Sequence, residues 1–570
     1  MTRDLRQDPV GFEAILVAFV ATCGVAIALV HAAVLVARSA TGETGPPAAA
    51  TITWMIVAVG ATSTAAHLAL RGSRRLRWAG PSLSLLGAVW FAAWNRGTPA
   101  VAIALWLAGS AQTLAAFLIA GQLSNLLSGS FRRRPVVAVL WGMLALLFLV
   151  QSGRLSAYMA DPSLDWWLTT RDVFWSRHMC MPAYIEAADL HRQGISNVYD
   201  AGYYSALTRT AKPVLTVRNL EAFAGDPYQY PPQFLLLPHL ALKLTDDFLT
   251  LRTIWFAVQI VGFVVVAFTL CAWIGGPVGL ATALLIPAMW VSVPFMQSLQ
   301  YGQFHLAAVV MAIGGMLAFE KRRNALGGAL LAASTLAKIF PGLLLVFLVA
   351  RRQWRAVAWT AGFAAGFSLV ALLVLGPRPF RAFVAYQLPR MQSGEAFDFG
   401  KDYPEYRQAL VADNFSPAGL VAKLHELGVP GTTPRLGRVA LSGYAFLLVG
   451  AAFLAGRRQG SRRDQACLWL AVLNLAALQS PGAFADYVTL GSVWLLVLVP
   501  DLFRGRPLRT AFLAVCWVFF ALVPGVPPVP ASLSEPAMMT LTAVGIVVLL
   551  GFNAWVILRT PPSRSLPAAA

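Results

Sequence analysis

Long, unbroken apolar stretches recur from one end of this chain to the other, and they constrain its fold more than any other feature. A helix needs about 20 apolar residues to cross a bilayer, and somewhat fewer when other helices surround it. The pattern predicts such runs near residues 12–37, 51–70, 79–95, 99–121, 135–151, 252–274, 278–297, 304–319, 325–351, 355–376, 436–456, 466–480, 487–500, 509–524 and 536–558. Charged residues are 12% of the 570 and hydrophobic ones 58%. Soluble domains carry about 25% charged residues, so this chain has half the charge needed to coat a water-facing surface. That excludes an ordinary soluble enzyme, and also a disordered chain, which would be polar. The runs do not alternate over about ten residues, as the strands of an outer-membrane barrel do. The reading is an all-α, polytopic integral membrane protein.

The basic clusters then orient it. In a soluble protein, an excess of 44 Lys and Arg over 25 Asp and Glu would point to nucleic acid. In a membrane protein Lys and Arg gather in cytoplasmic loops, so no nucleic-acid partner is expected. Clusters stand at Arg71–Arg77, Arg132–Arg134, Lys321–Arg323, Arg351–Arg355, Arg457–Arg463 and Arg504–Arg509. Placing all six in the cytoplasm puts two long polar loops, 152–251 and 377–435, on the other side. The run 325–351 has basic clusters at both ends, which one crossing cannot satisfy. A broken hairpin turning near Lys338 and Pro341 can, because irregular backbone is tolerated in a membrane where protein buries it or it lines a cavity. Counting that run twice gives about sixteen transmembrane or re-entrant helices, with both termini cytoplasmic. The N-terminal run lacks a small-residue cleavage site and reads as a retained first helix. The expected location is an inner, or cell, membrane of bacterial type.

Several polar groups would share the extracytoplasmic side. The first loop holds DPSLDWWLTTRDVFW, with Asp161, Asp165 and Asp172 beside three tryptophans, and Arg171 and Arg177 close by. AYIEAADLHRQG follows, an amphipathic helix closed by Gly194, and then the proline-stiffened YQYPPQFLLLPHLAL. SLQYGQFHL places Gln300, Tyr301, Gln303 and His305 at the top of a span, where polar side chains are costly and mark functional sites. Lys338 lies inside GGALLAASTLAKIFPGLLLVF with no acid nearby in sequence. A buried ammonium needs an anion, and phosphate suits it; snorkelling to the interface is the alternative. The second loop carries Asp413, Asn414 and Ser416, and LQSPGAFADY brings Asp486 and Tyr487 to the membrane edge. Five scattered cysteines without a CxxC argue against disulfides and zinc. With no HExxH, Walker loop or GxGxxG, neither a metal nor a cofactor is expected.

The order of these segments resembles glycosyltransferase family 87. The matching succession runs from AYIEAADLHRQG through YQYPPQFLLLPHLAL, YGQFHLAAVV and GGALLAASTLAKIFP to ADNFSPAGL and QSPGAFADY. That family includes polyprenol-phosphate-mannose-dependent α-mannosyltransferases and belongs to the GT-C superfamily of membrane enzymes. The resemblance covers roughly 135–500, the expected catalytic core. It leaves 1–134 as additional N-terminal membrane helices and 501–570 as C-terminal membrane helices with a cytoplasmic tail. It implies transfer of a sugar, mannose or another hexose or pentose, from a polyprenyl-phosphate donor to an envelope glycolipid or glycan, with inversion at the extracytoplasmic face. A first-loop acid would be the base: Asp172 first, then Asp165 and Asp161, with Asp486 able to share the role. Lys338, Arg171 and Arg177 would hold the donor phosphate. Tyr184, Tyr230, Tyr301, Gln303, His305, Asn414 and Tyr487 would line the substrates. The chain departs from the family in three places. Counting back from Tyr184 gives Cys180 and Met181 rather than the family's Asp; His305 stands where an Asn is usual; and Asp486–Tyr487 replaces a His pair. The competing readings are a lipid-linked sugar transporter or flippase, disfavoured because the single broken segment has no counterpart in another half, and a non-catalytic scaffold.

Overall fold

The computed structural model describes residues 135–163, 179–204, 215–398 (except 224), 404–484, 488–498 and 534–561, with scattered positions between 14 and 36, at 133 and between 511 and 520. In chain order the principal helices are α1 (Pro135–Ala160), α2 (Cys180–Arg192), α3 (Phe248–Ile274), α4 (Gly276–Trp290), α5 (Val293–Gln300), α6 (Phe304–Glu320), α7 (Asn324–Ala337), α8 (Leu343–Ala350) and α9 (Trp354–Leu375). They continue with α10 (Pro417–Glu426), α11 (Pro434–Gly456), α12 (Arg462–Ala477), α13 (Leu490–Val497) and α14 (Glu535–Arg559). Among the described residues β-structure is limited to two isolated bridges.

The expected count of about sixteen transmembrane or re-entrant helices is wrong. Among the described residues five helices are long and apolar enough to cross a membrane: Ala138–Ala160, Phe248–Ile274, Trp354–Leu375, Pro434–Gly456 and Glu535–Arg559. The number is six if α4 and α5 form one broken span. Breaks and length are the physical reason. At about 1.5 Å per residue, the 17 residues of α6 and the 14 of α7 fall short of a bilayer core of about 30 Å. α12 opens on Arg462, Arg463 and Asp464, and α13 has only 8 residues. Apolar composition thus marked helices that are buried in protein as well as helices that cross. The expected spans at 51–70, 79–95 and 99–121, and most of 12–37 and 509–524, lie outside the described residues.

The chain divides into two compact units, residues 1–166 with 249–291, and residues 167–248 with 292–570. In the first unit, α1 packs on α4 through Phe148 and Trp290, whose rings meet edge to face at 4.6 Å. Arg252 on α3 is 1% exposed. Its guanidinium donates to the carbonyls of Tyr158 (3.1 Å) and Met159 (3.3 Å), which lie in the last turn of α1, where a helix leaves its carbonyls without internal partners.

The second unit shows the break expected near Lys338 and Pro341. α7 ends at Ala337, a 3₁₀ turn covers Phe340–Gly342, and α8 starts at Leu343. Ser334 Oγ donates to Ala308 O at 2.7 Å and ties α7 to α6. The basic turns gather at the other helix ends. Arg351, after α8, donates to the carbonyls of Gly456 (3.3 Å) and Arg458 (3.0 Å). Arg458 in turn donates to Leu558 O (3.3 Å) and Thr560 O (2.8 Å) at the end of α14.

Candidate functional site

A chamber of about 430 Å³ opens in the second unit, a size in the range of small-ligand pockets, about 300–1,000 Å³. Its walls come from the start of α2, the loop 226–231, the start of α6, the turn after α7, the second-loop segment around Phe397 and Asp413, and residues 476–484 at the end of α12 and just after it. These helix ends are the ones remote from the basic turns: α6 starts here and ends at Lys321, α7 starts after Arg323 and ends here.

Helix α2 is set against the chamber by a single turn. The carbonyl of Tyr301 accepts from the backbone N–H groups of both Cys180 and Met181, each at 3.1 Å, which satisfies donors that a helix N-terminus leaves open. Gly302 makes the turn at φ 62°, and a Cβ there would lie 2.7 Å from Met181 Cβ. Only glycine combines that backbone with that approach. Although α2 was expected to be amphipathic, its residues from Met181 to Leu190 are all buried, Glu186 and Asp189 included. Asp189 is matched by Arg192 (2.8 Å), Gln193 Nε2 (2.9 Å) and the backbone N–H of Thr216 (2.9 Å).

Three predicted residues meet in one cluster. The hydroxyls of Tyr184 and Tyr230 lie 2.6 Å apart, and Gln303 Oε1 is 3.1 Å from the first and 2.9 Å from the second. Two phenol protons serve three short oxygen contacts, so the cluster is rich in acceptors. Gln303 Nε2 faces Cys180 Sγ at 3.2 Å. Burial pushes the Tyr184 phenol well above its ordinary value, so it stays protonated and acts as a donor. The rings of Tyr184, Tyr230, Phe234 and Phe304 pack edge to face or tilted, with centroids 4.7–5.0 Å apart.

Lys338 lies beside this cluster. It caps the C-terminus of α7 in extended conformation, where the helix dipole favours a cation. Its Nζ is 5.4 Å from the centroid of the Tyr230 ring. His305 stacks on Phe340, centroids 4.7 Å apart and planes at 17°. Lys338, Tyr184, Tyr230, Tyr301, Gln303 and His305, six predicted site residues, therefore all line one chamber.

The remaining predictions fare differently. Asn414 is engaged by the fold: its Nδ2 donates to Pro481 O at 2.7 Å and its Oδ1 accepts from Ser416 N at 2.9 Å. Phe415 N donates to Ala483 O at 2.7 Å, and Ser416 caps α10 through Gly419 N at 2.8 Å. Asn414 thus zips the second loop to 481–484. Asp161 belongs to the first unit and closes a turn after α1, accepting from Ser163 N (3.0 Å) and Oγ (2.7 Å). Asp165, Arg171, Asp172, Arg177, Asp486 and Tyr487 lie outside the described residues. Sequence reasoning did not nominate Asp226 and Asp413, the carboxylates that line the chamber among the described residues, nor Cys180 and Gln229, as site residues, although Asp413 and Cys180 stood in its motifs. Asp226 opens the DPYQYPP stretch and Asp413 precedes NFSP. Their motif neighbours were the available signal, but a loop aspartate resembles any solvated one. Among the described residues no group of three or more His, Cys, Asp or Glu could hold a metal.

Residues 228–481 match the family model described as Glycosyltransferase family 87. The match covers a little under half of the chain and includes every lining residue from Tyr230 to Pro481. No curated protein and no solved structure matches the chain.

Proposed function

The chain carries a glycosyltransferase family 87 domain and is on that ground a glycosyltransferase; from this premise we propose that it moves a sugar from a polyprenyl-phosphate donor to an envelope glycolipid or glycan at the extracytoplasmic face of a cell membrane. The observation that carries this reading is the placement of Lys338. One ammonium closes a helix C-terminus inside a chamber walled mainly by apolar and aromatic side chains, at the helix ends away from the basic turns. A lipid-linked phosphodiester carries one negative charge, and one cation answers it.

The chemistry follows from where charge develops. The acceptor hydroxyl gives its proton to a carboxylate and attacks the anomeric carbon from the face opposite the phosphate. The anomeric C–O bond breaks, its electron pair stays on the phosphate oxygen, and the configuration inverts. The phosphate goes from one negative charge to two, so Lys338 stabilises the product side more than the ground state, which is what raises a rate. Such fixed charge in a water-poor site is usually the largest catalytic term. The Tyr184–Tyr230–Gln303 cluster orients sugar hydroxyls, and His305 on Phe340 supplies a flat face for a ring. Arg171 and Arg177 are proposed as further phosphate contacts, Tyr301 and Tyr487 as further sugar contacts, and the base is sought among carboxylates that reach the chamber, with Asp172, Asp165 and Asp486 of the flanking loops as candidates.

The test is sugar transfer in membranes containing the protein, with polyprenyl-phosphate sugars, polyprenyl-diphosphate sugars and nucleotide sugars offered separately. Transfer is expected from the monophosphate donors alone, and Lys338→Met should reduce it by about 10²–10³-fold, the usual cost of removing one charge-stabilising group. Direct transfer from nucleotide sugars, or a Lys338→Met chain as active as wild type, would defeat the proposal.

A further inference from the structure

We infer that Asp413 is the carboxylate that takes the acceptor's proton, and that the buried Lys423 holds the backbone beside it in place. The inference rests on the proposed transferase reaction and names the base that the reaction requires. Its first ground is position: Asp413 lines the chamber that contains Lys338.

The second ground is rigidity. A general base must stay within about 2.6–3.2 Å of the proton it removes, directly or through one water. Asp413 is the last residue of the short helix Arg407–Asp413. The next three residues are fastened to the opposite segment of the wall by Asn414 Nδ2 and Ser416 Oγ, which share Pro481 O at 2.7 and 3.1 Å, and by Phe415 N on Ala483 O at 2.7 Å. Phe415 and Ser416 are fully buried. The backbone that carries the carboxylate therefore has little room to move.

The third ground is charge. Lys423, on α10, is 0% exposed. Its Nζ donates to Asn414 O and lies 5.6 Å from the Phe415 ring centroid. Burial pushes this ammonium down to about 7, while the Asp413 carboxylate pulls it back up. A lysine so placed is a poor device for stability, since taking an ammonium out of water is costly. Its bond to Asn414 O fixes the backbone next to the Asp413 carboxylate. In the step itself the acceptor proton passes to Asp413, the acceptor oxygen bonds the anomeric carbon, and the phosphate departs with the electron pair toward Lys338. Asp413 is the base; Lys423 touches no substrate and is a positioning residue.

The experiment uses the full chain, purified in detergent, with a polyprenyl-phosphate sugar on which wild type is active. Asp413→Ala should lower kcat for natural transfer by about 10²–10⁴-fold, the range for general-base loss, with donor Kd unchanged. Added azide, an anionic nucleophile with no proton to lose, should restore donor turnover in this variant and yield a glycosyl azide. That rescue separates loss of the base from loss of the fold. Lys423→Met should lower kcat and leave the KM for the donor unchanged. Three results would overturn the inference: natural transfer that survives Asp413→Ala, loss of azide turnover along with natural transfer, or the azide-rescue signature in Asp172→Ala instead. A wild type that uses no polyprenyl-phosphate sugar overturns the proposed function and this inference with it; an active wild type with an active Asp413→Ala overturns this inference alone.

Discussion

Lys423 and Gln303 show how much a single buried polar side chain decides in this molecule. The ordinary lysine value of 10.5 falls to about 7 for Lys423 in the folded chain. Between those values the unfolded chain binds a proton that the folded chain does not, so stability rises with pH. The contribution is complete above about pH 10.5 and is lost as pH falls through about 7. Thermal unfolding of purified protein at pH 7 and pH 9.5 should therefore show the higher midpoint at pH 9.5, and Lys423→Met should flatten that difference. An unchanged slope in the variant would mean that other groups set it. At Gln303 one side-chain oxygen faces two phenols. Gln303→Leu removes the acceptor that both phenols share; one can still donate to the other, so one hydroxyl loses its acceptor at a cost of about 1–3 kcal/mol, and the chamber loses a polar group. The expected result is a lower unfolding midpoint together with weaker donor binding; Tyr184→Phe, which removes one hydroxyl and leaves the other its partner, should be milder on both measures. Lys338 and Gln303 were legible in the sequence because a polar group inside an apolar run is expensive and rarely idle. Asp413 was not, because in a loop with several charges nothing local marks the one carboxylate that folds onto a chamber.

At the scale of elements, close approach between helices does much of the packing. Gly328 on α7 meets α9, and a Cβ there would lie 2.7 Å from Trp359 Cβ and 2.9 Å from Thr360 N. Small residues at such crossings let backbones approach in a membrane, where no hydrophobic drive remains between helices. Gly328→Val should push α9 outward and lower stability by about 1–3 kcal/mol, read as a drop in unfolding midpoint in detergent. Gly362, on α9 with nothing within 4 Å of its Cβ position, provides the control: Gly362→Ala should leave the midpoint unchanged or raise it slightly, because alanine favours helix. The GGALLAAS pattern is plain in the sequence, yet the lengths of the helices are not. Hydropathy sums over a window and does not register a chain that stops at Ala337, turns through Pro341 and resumes at Leu343. It also rates α6 and α7 as apolar as a crossing helix, although both are cut short.

At the scale of the whole molecule, the second unit has two chemically distinct ends. The Arg351 and Arg458 side chains donate to carbonyls at the ends of α11 and α14, while Lys338, Asp413 and the tyrosine cluster line a chamber at the other helix ends. Positive charge on the cytoplasmic side would then put the chamber outside. Single cysteines at Glu405 and Arg323, both exposed, test this in a cysteine-free background: a membrane-impermeant maleimide applied to intact cells should label Glu405→Cys and leave Arg323→Cys unmodified until the membrane is opened. The reverse pattern would place the chamber on the cytoplasmic side. The glycosyltransferase family 87 match begins at Tyr228, after α2, although Cys180 and Tyr184 of α2 form part of the same chamber wall.

Apolar runs, basic clusters and a handful of misplaced polar residues are enough on their own to establish a helical membrane protein, a break at Lys338–Pro341 and a glycosyltransferase family 87 segment. Each of these depends on residues near one another in sequence, and local chemistry is what a sequence displays. The tertiary structure alone decided how many helices reach membrane-crossing length, that Asn414 serves the fold, and that Asp413 shares a chamber with Lys338. Those properties depend on contacts between segments far apart in the chain, such as Asn414 with Pro481, 67 residues on, and no local pattern encodes which distant backbone a side chain will meet.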